Sequence, residues 1–378
     1  MIRRITSGPT RWRIIASVAL GVAPWQLVSA NTSNPEIGFV LDGFYKSESS
    51  ALSERSRSFG LGHTELFLES AVDDLFTGRL TSVLESHEGA TELDIEEAFI
   101  DTVSLPLGLD LRAGRFLSQV GYLNSHHTHS DAFAERPAVY RALLGGHYFD
   151  DGVRLSTLLP LPFYTSVGIE AFNGQQLAGG TGDDAPGVWT LSGRVGGDLS
   201  ESSNWQAGLS WLRHELTVAV EEEEEVADEE EHDHSHDAAY SGKNMMIIDA
   251  VWKWSPRGNV RDSQLMLSGE YLRADDISEF ASDDDRHEGW YLSAAYRWNP
   301  QWQLAFRYGE VDLKQAHGDH FHDQNLEETE VALSWSRSHF STVRAQYTQQ
   351  SGDGFDDIQD SISLQYVMSL GMHGAHDY

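Results

Sequence analysis

The chain has no cysteine in 378 residues, which excludes a disulfide-stapled scaffold, a cysteine zinc site and a thiol nucleophile. It is also poor in bases, with 26 Lys and Arg against 59 Asp and Glu, a formal charge of −33. Phosphate binding needs a basic surface, so this balance argues against a nucleic-acid partner. Long apolar runs are missing as well. Nowhere do 18 or more apolar residues follow one another, whereas a spanning helix needs about 20, so a helical membrane protein is excluded. Enzyme signatures are absent too. There is no Gly-x-Ser-x-Gly elbow, and His87-Glu88 and His287-Glu288 lack the second histidine of a zinc protease motif. The chain reads as not an enzyme and as requiring no cofactor.

What is present starts with a leader. Arg3, Arg4, Arg11 and Arg13 precede an apolar run from Ile14 to Ala23, and Val28-Ser29-Ala30 offers the small residues of a cleavage site. This is the pattern of a secretory signal peptide over 1–30, cleaved near Ala30, with 31–378 as the mature unit. Its loss removes four bases and no acid.

From residue 36 onward the pattern is alternation. Trp290, Leu292, Ala294, Tyr296 and Trp298 are interleaved with Ser293 and Arg297; Ile362, Leu364, Tyr366, Met368 and Leu370 with Ser363, Gln365 and Ser369. Successive side chains of a strand point to opposite faces, so such segments have one apolar and one polar face. Sixteen are read, at 36–46, 60–71, 76–87, 93–103, 108–117, 151–159, 164–173, 188–198, 204–216, 244–254, 263–273, 287–299, 302–313, 326–338, 341–350 and 358–371. Most have the length of a tilted membrane strand. Short connections (71–75, 104–107, 160–163, 199–203, 255–262, 299–301, 338–340) alternate with a set that includes 118–150, 174–187, 217–243, 274–286 and 314–325. The fold expected is all-β: a 16-stranded antiparallel transmembrane β-barrel with short periplasmic turns and long extracellular loops, in the outer membrane of a Gram-negative cell. The 11 Trp suit the interfacial girdles of such a barrel. Expected partners are outer-membrane lipid and lipopolysaccharide. The barrel-insertion machinery would read the last strand and the terminal Tyr378, and homotrimeric assembly is compatible with the class.

Leu109-Asp110-Leu111-Arg112-Ala113-Gly114-Arg115-Phe116 resembles a strand-ending pattern of the phosphate-selective porin O and P superfamily, and Leu93 to Thr102 is similar to the preceding strand there. Val120-Gly121-Tyr122-Leu123-Asn124, His126, His127, His129, Arg136-Pro137 and Tyr140-Arg141-Ala142 resemble a porin-like family associated with zinc-regulated uptake. The likeness continues through Gly145-Gly146, Asp150-Asp151-Gly152-Val153 and Glu170-Ala171-Phe172-Asn173-Gly174. It spans about 93–175 and implies a 16-stranded channel without a plug domain. No basic lumen ladder is visible, so phosphate selectivity is not carried over.

Three histidine clusters fall in three connections. The first has His126, His127, His129 and His147. The second has His232, His234 and His236 with Asp233, among eleven acids from Glu221 to Asp237. The third has His317, His320 and His322 with Asp319. Imidazole and carboxylate suit zinc and similar divalent ions, and three clusters on one face point to transient capture of metal. The plainer reading is a solvated acidic mouth that bridges lipopolysaccharide through calcium or magnesium. The 118–150 connection is the longest and carries both signs, with Asp131, Glu135, Asp150 and Asp151 against Arg136 and Arg141. It is expected to act as a constriction loop, with an outer lid as the alternative. A charge facing lipid is costly, so Arg112, Asp249, Lys253, Glu270, Arg297 and Arg307 are assigned to the lumen. The function expected is a porin-like channel that favours cations and assists passive uptake of zinc or another divalent metal. The alternatives are a general hydrophilic-solute porin with incidental loop histidines, and a non-conducting metal-binding or adhesive barrel.

Overall fold

The computed structural model describes residues 35–371 apart from 88–89, 104, 178–185, 216–237, 257, 261, 283 and 318–319. The expected signal peptide over 1–30, Tyr378 and the acidic histidine segment around 232–236 therefore lie outside the described residues.

The strands are β1 (Glu36–Lys46), β2 (Ser58–Leu61), β3 (Thr64–Ala71), β4 (Phe76–His87), β5 (Ala90–Thr102), β6 (Leu109–Leu117), β7 (Phe149–Leu158), β8 (Tyr164–Phe172) and β9 (Val188–Ser200). They continue as β10 (Ser203–His214), β11 (Asn244–Trp254), β12 (Gln264–Asp275), β13 (His287–Asn299), β14 (Trp302–His317), β15 (His320–Ser338), β16 (Ser341–Asp353) and β17 (Ser361–Gly371). Each pairs antiparallel with its sequence neighbour, and β17 returns to β1 from Gly38↔Gly371 to Lys46↔Ser363. β2 and β3 both pair with β1 and are successive parts of one stave, so the closed barrel has sixteen. Closure leaves no unpaired strand edge, as a spanning sheet requires.

The alternation faces the wall as expected. On β15, Val331, Leu333 and Trp335 point outward and are exposed, while Glu330, Ala332 and Ser334 point inward and are buried. Trp298 stacks on Trp302, and Trp302 contacts Trp335, a patch of aromatic side chains at the short-turn end of β13–β15. A continuous apolar exterior around a polar interior suits lipid, not water.

The structure extends two strands beyond the expected bounds. The 314–325 segment is not a long loop, because β14 runs on to His317 and β15 begins at His320. There the pattern is inverted. Val311, Leu313, Gln324 and Leu326 are buried inside, while Asp312, Asp323 and Glu327 face outward and are exposed. Strands that project past the lipid need no apolar exterior, and these ones gain an apolar interior from what packs against them.

That partner is the 118–148 connection, which folds into the barrel. Its helix α1 (Ala138–Leu144) is buried at every residue. Val139, Ala142 and Leu143 join Ile247, Leu272, Leu313 and Leu326 of the wall in one apolar core. Gly145 ends the helix in the left-handed region at φ 56°, the conformation that costs glycine least, and turns the chain back toward β7.

Candidate functional site

Polar groups fasten the loop around the interior. Glu270 on β12 accepts from the Tyr122 and Leu123 backbone N–H groups at 2.8 and 3.0 Å and from the hydroxyls of Tyr140 and Tyr291. Arg141 donates to both oxygens of Glu328 on β15 at 2.6 Å. Glu135 accepts from Lys46 of β1 at 2.8 Å, and Arg307 of β14, paired with Glu330, donates to the Glu135 carbonyl. Arg344 of β16 donates to the carbonyls of Phe133 and Asp131. Each is a charge-assisted bond in a buried setting, the class whose partners are expensive to remove.

The expected constriction residues divide accordingly. Asp131 pairs with Arg136 within the loop at 2.9 Å, while Glu135 and Arg141 anchor it to the wall. Asp150 accepts from the Gly174 and Gln175 backbones, and Asp151 pairs with Arg115. Of the expected lumen residues, Glu270 and Arg307 bind the loop, Arg112 grips Asp101 with two hydrogen bonds, and Asp249 is buried on β11. Lys253 and Arg297 line a cavity of about 750 Å³ on the short-turn side of the loop, together with Arg307, Arg337, Arg344 and the single acid Asp131.

The histidines do not all meet. His126 turns back on its own loop, its Nδ1 donating to the Tyr122 carbonyl at 2.8 Å. Burial, with Arg136, Arg194 and Lys253 nearby, pushes its pKa down to about 4. His320 and His322 are exposed at the start of β15; the side chain of His317, together with His232, Asp233, His234, His236 and Asp319, lies outside the described set. His127, His129 and His147, however, converge on three wall residues, His63, Glu65 and Glu96. His127 Nδ1 lies 3.6 Å from Glu65 Oε2 and 3.4 Å from Glu96 Oε2, and His63 Nε2 lies 3.3 Å from Glu96 Oε2. With one donor atom from each of His63, Glu65, Glu96 and His127, all four fall within 4.8 Å of one another. Among the described residues this is the one group of three or more such side chains placed to share an ion.

Two β-bulges build it. Between Gly43↔Leu61 and Val40↔Glu65 the β2–β3 stave takes one more residue than β1, and His63, Thr64 and Glu65 all turn inward, none more than 5 % exposed. Gly62 makes the close approach there, since a Cβ would lie 2.6 Å from Asp42 Oδ2. The second bulge is at Glu96, skipped between Thr81↔Glu97 and Ser82↔Ile95, so that adjacent Glu96 and Glu97 are both buried. His63, Glu65 and Glu96 were not singled out from the sequence. Strict alternation cannot place Glu96 and Glu97 on one face, and neither bulge has a turn residue that betrays it beyond Gly62.

Burial alone would lower the His127 pKa, but Glu65, Glu97 and Glu96 outweigh it and raise it well above the ordinary value. The buried carboxylates thus favour the charged form of the His127 ring. Two imidazoles and two carboxylates are a fitting donor set for zinc and its neighbours.

A sixteen-stave antiparallel barrel with a long loop docked inside is the fold of the outer-membrane porins. The outer-membrane channel DcaP of Acinetobacter baumannii superposes with a TM-score of 0.54 at 12 % identity over 89 % of this chain and 96 % of that one. The Salmonella typhi OmpF barrel gives 0.56 at 12 % identity, covering 89 % and 97 %. An anion-selective porin from Comamonas acidovorans gives 0.53 at 10 % identity, covering 90 % and 99 %. At this identity the likeness establishes the fold alone. No family model matches the sequence. A protein of Aquifex aeolicus (strain VF5), described only as uncharacterized, is 38 % identical over 140 residues, 37 % of this chain and 29 % of its own length.

Proposed function

We propose that the chain is an outer-membrane porin-like channel that favours cations and assists passive uptake of zinc or another divalent metal. It belongs, on this reading, with the zinc-regulated porin-like proteins that residues 93–175 resemble. The observation that carries it is the meeting of loop imidazoles and wall carboxylates in one buried cluster inside the barrel. Acidic and histidine-bearing outer segments, including 217–243 and His320 and His322, concentrate cations at the mouth. The 118–148 loop sets the narrow passage, and the cluster holds the ion in transit. Passage is downhill and needs no cofactor. A signal peptide over 1–30, insertion through the C-terminal strand, contact with lipopolysaccharide and homotrimeric assembly complete the proposal.

The basic lining of the cavity below the loop favours a second reading, a general hydrophilic-solute porin, because Lys253, Arg297, Arg307, Arg337 and Arg344 face it with the single acid Asp131. Planar-bilayer recording separates the readings. The uptake channel gives a cation-favouring reversal potential and a conductance that micromolar zinc reduces by dwelling in the passage. Conductance indifferent to zinc leaves the general porin, and no conductance at all refutes both.

A further inference from the structure

We propose that His63, Glu65, Glu96 and His127 form a site for a single zinc-class divalent ion, and that the bound ion ties the 118–148 loop to the barrel wall. This rests on the reading of the cluster as the channel's metal-handling site and adds its ligand set and its regulatory consequence.

The spacing supports one four-coordinate ion. Zinc–nitrogen and zinc–oxygen bonds of roughly 2.0–2.2 Å place neighbouring tetrahedral ligands about 3.3–3.5 Å apart. His63 Nε2 to Glu96 Oε2, His127 Nδ1 to Glu96 Oε2 and His127 Nδ1 to Glu65 Oε2 measure 3.3, 3.4 and 3.6 Å. All four donor atoms lie within 4.8 Å of one another. His127 Nδ1 is buried and points between Glu96 Oε2 and Glu65 Oε2, at 3.4 and 3.6 Å, spacings longer than a good hydrogen bond and close to those between ligands of one ion. Calcium and magnesium take six or more oxygens and fit this donor set poorly.

The outer partners make the assignment specific, because metal ligands are held by second groups that fix their orientation. Glu85 holds His63 Nδ1 at 2.7 Å, and Glu97 lies 3.4 Å from His127 Nε2, which leaves His63 Nε2 and His127 Nδ1 facing the centre. His129 Nδ1 holds Glu65 Oε1 at 2.6 Å, and His147 Nε2 lies 2.8 Å from Glu96 Oε1, so each carboxylate is braced by a loop imidazole while both of its oxygens stay near the centre, the two Oε1 atoms at 3.5 and 3.3 Å from His63 Nε2. Every ligand thus has an outer partner of opposite type. Three ligands come from the wall and the fourth from the loop, as do the outer partners His129 and His147. An ion at the centre therefore joins two bodies that can separate, and filling the site stabilises the docked loop.

The test uses the full mature chain folded in detergent, stripped with chelator and titrated with zinc against a chromophoric competitor. The wild type is expected to take one tight equivalent per chain, and cobalt in its place to give the intense visible bands of a four-coordinate ion. Glu96→Gln and His127→Asn should each lose that equivalent while keeping the heat-modifiable gel shift that shows a formed barrel. With Ala142→Cys as the sole thiol, zinc should slow thiol labelling at least tenfold, and Glu96→Gln should abolish the slowing. A tight equivalent that survives both substitutions, or that disappears on deleting 217–243 instead, overturns the site. Labelling indifferent to bound zinc overturns the tether. Failure of the uptake reading looks different: one tight equivalent with no conductance refutes the channel and leaves the site standing.

Discussion

Arg141 is the sharpest place to test how the loop is held. Its guanidinium grips Glu328 with two 2.6 Å bonds and donates to the Leu52 carbonyl at 3.0 Å, and all of it is buried. Arg141→Met preserves most of the volume but leaves Glu328 in the interior with Gln350 as its remaining donor. Removing one partner of a buried pair costs about 3–5 kcal/mol, since the other charge stays behind uncompensated. At about 1.4 kcal/mol per tenfold, the loop should undock more often by a factor of roughly one hundred to a few thousand. The absence of native cysteine makes this measurable. Cysteine in place of Ala142, which is fully buried in α1, reacts only when the loop leaves the core. The labelling rate then reports the change in opening whatever the total stability of docking. Adding Glu328→Leu to Arg141→Met should recover much of the loss, because the stranded charge is gone. Labelling of Arg141→Met at the parent rate, or a double variant no better than the sum of the two singles, would refute an anchoring role for the pair.

In metal-free solution, docking should be strongest near pH 6.5. Below that the undocked loop gains a proton at His126 that the docked ring, held to about 4, refuses; above it the undocked loop releases the proton that docked His127 retains. Each limb can reach about 1.4 kcal/mol per pH unit. His126→Asn should flatten the acid limb and His127→Asn the alkaline one, read as Ala142→Cys labelling corrected for thiolate fraction between pH 5 and 8, and a monotonic profile in the parent would contradict both. Leu333→Arg puts a charge on the outward face of β15 at a cost of about 2–4 kcal/mol if it lies at mid-depth, so the folded fraction in a heat-modifiability gel should fall. Folding as complete as the parent's would count against a lipid-facing wall there. Gly62→Val drives a side chain to within 2.6 Å of Asp42 Oδ2 and should displace His63, weakening zinc binding at least tenfold in the competitor titration while the barrel still forms.

The barrel was legible because lipid imposes a single rule on every stave. Trp290 to Trp298 and Ile362 to Leu370 announce their outward faces by alternation, and the closed register follows from sixteen such segments joined in series. Legibility ended where the rule stopped. Leu313 and Leu326 keep their alternation with the faces exchanged, because α1 covers them from inside, so a membrane pattern reads the 314–325 segment as a loop. The candidate site lay beyond reach for a related reason. His127, His129 and His147 are conspicuous in a loop, but the residues they meet are ordinary inward polar positions of strands. Two bulges put those positions there, and a bulge is a property of pairing between strands that no single strand's sequence displays.

That origin also constrains what the cluster can be. Glu65, Glu96 and Glu97 are each about 2 % exposed, and burying three carboxylates so close together is unfavourable without compensating positive charge. Arginine supplies it elsewhere in this barrel, at Glu328 through Arg141 and at Glu330 through Arg307. Around Glu65 and Glu96 the facing groups are instead four histidines, His63, His127, His129 and His147, while Arg79 lies 3.7 Å from Glu97 and 3.8 Å from Glu69. Arginine would neutralise the acids permanently. Histidine can do so with a proton and can also give that proton up to bind a metal ion, which then supplies the positive charge itself. A loop held only for support would be served by arginine, as it is at Glu328. Among the described residues, compensation by histidine at this cluster fits the exchangeable cation proposed for it.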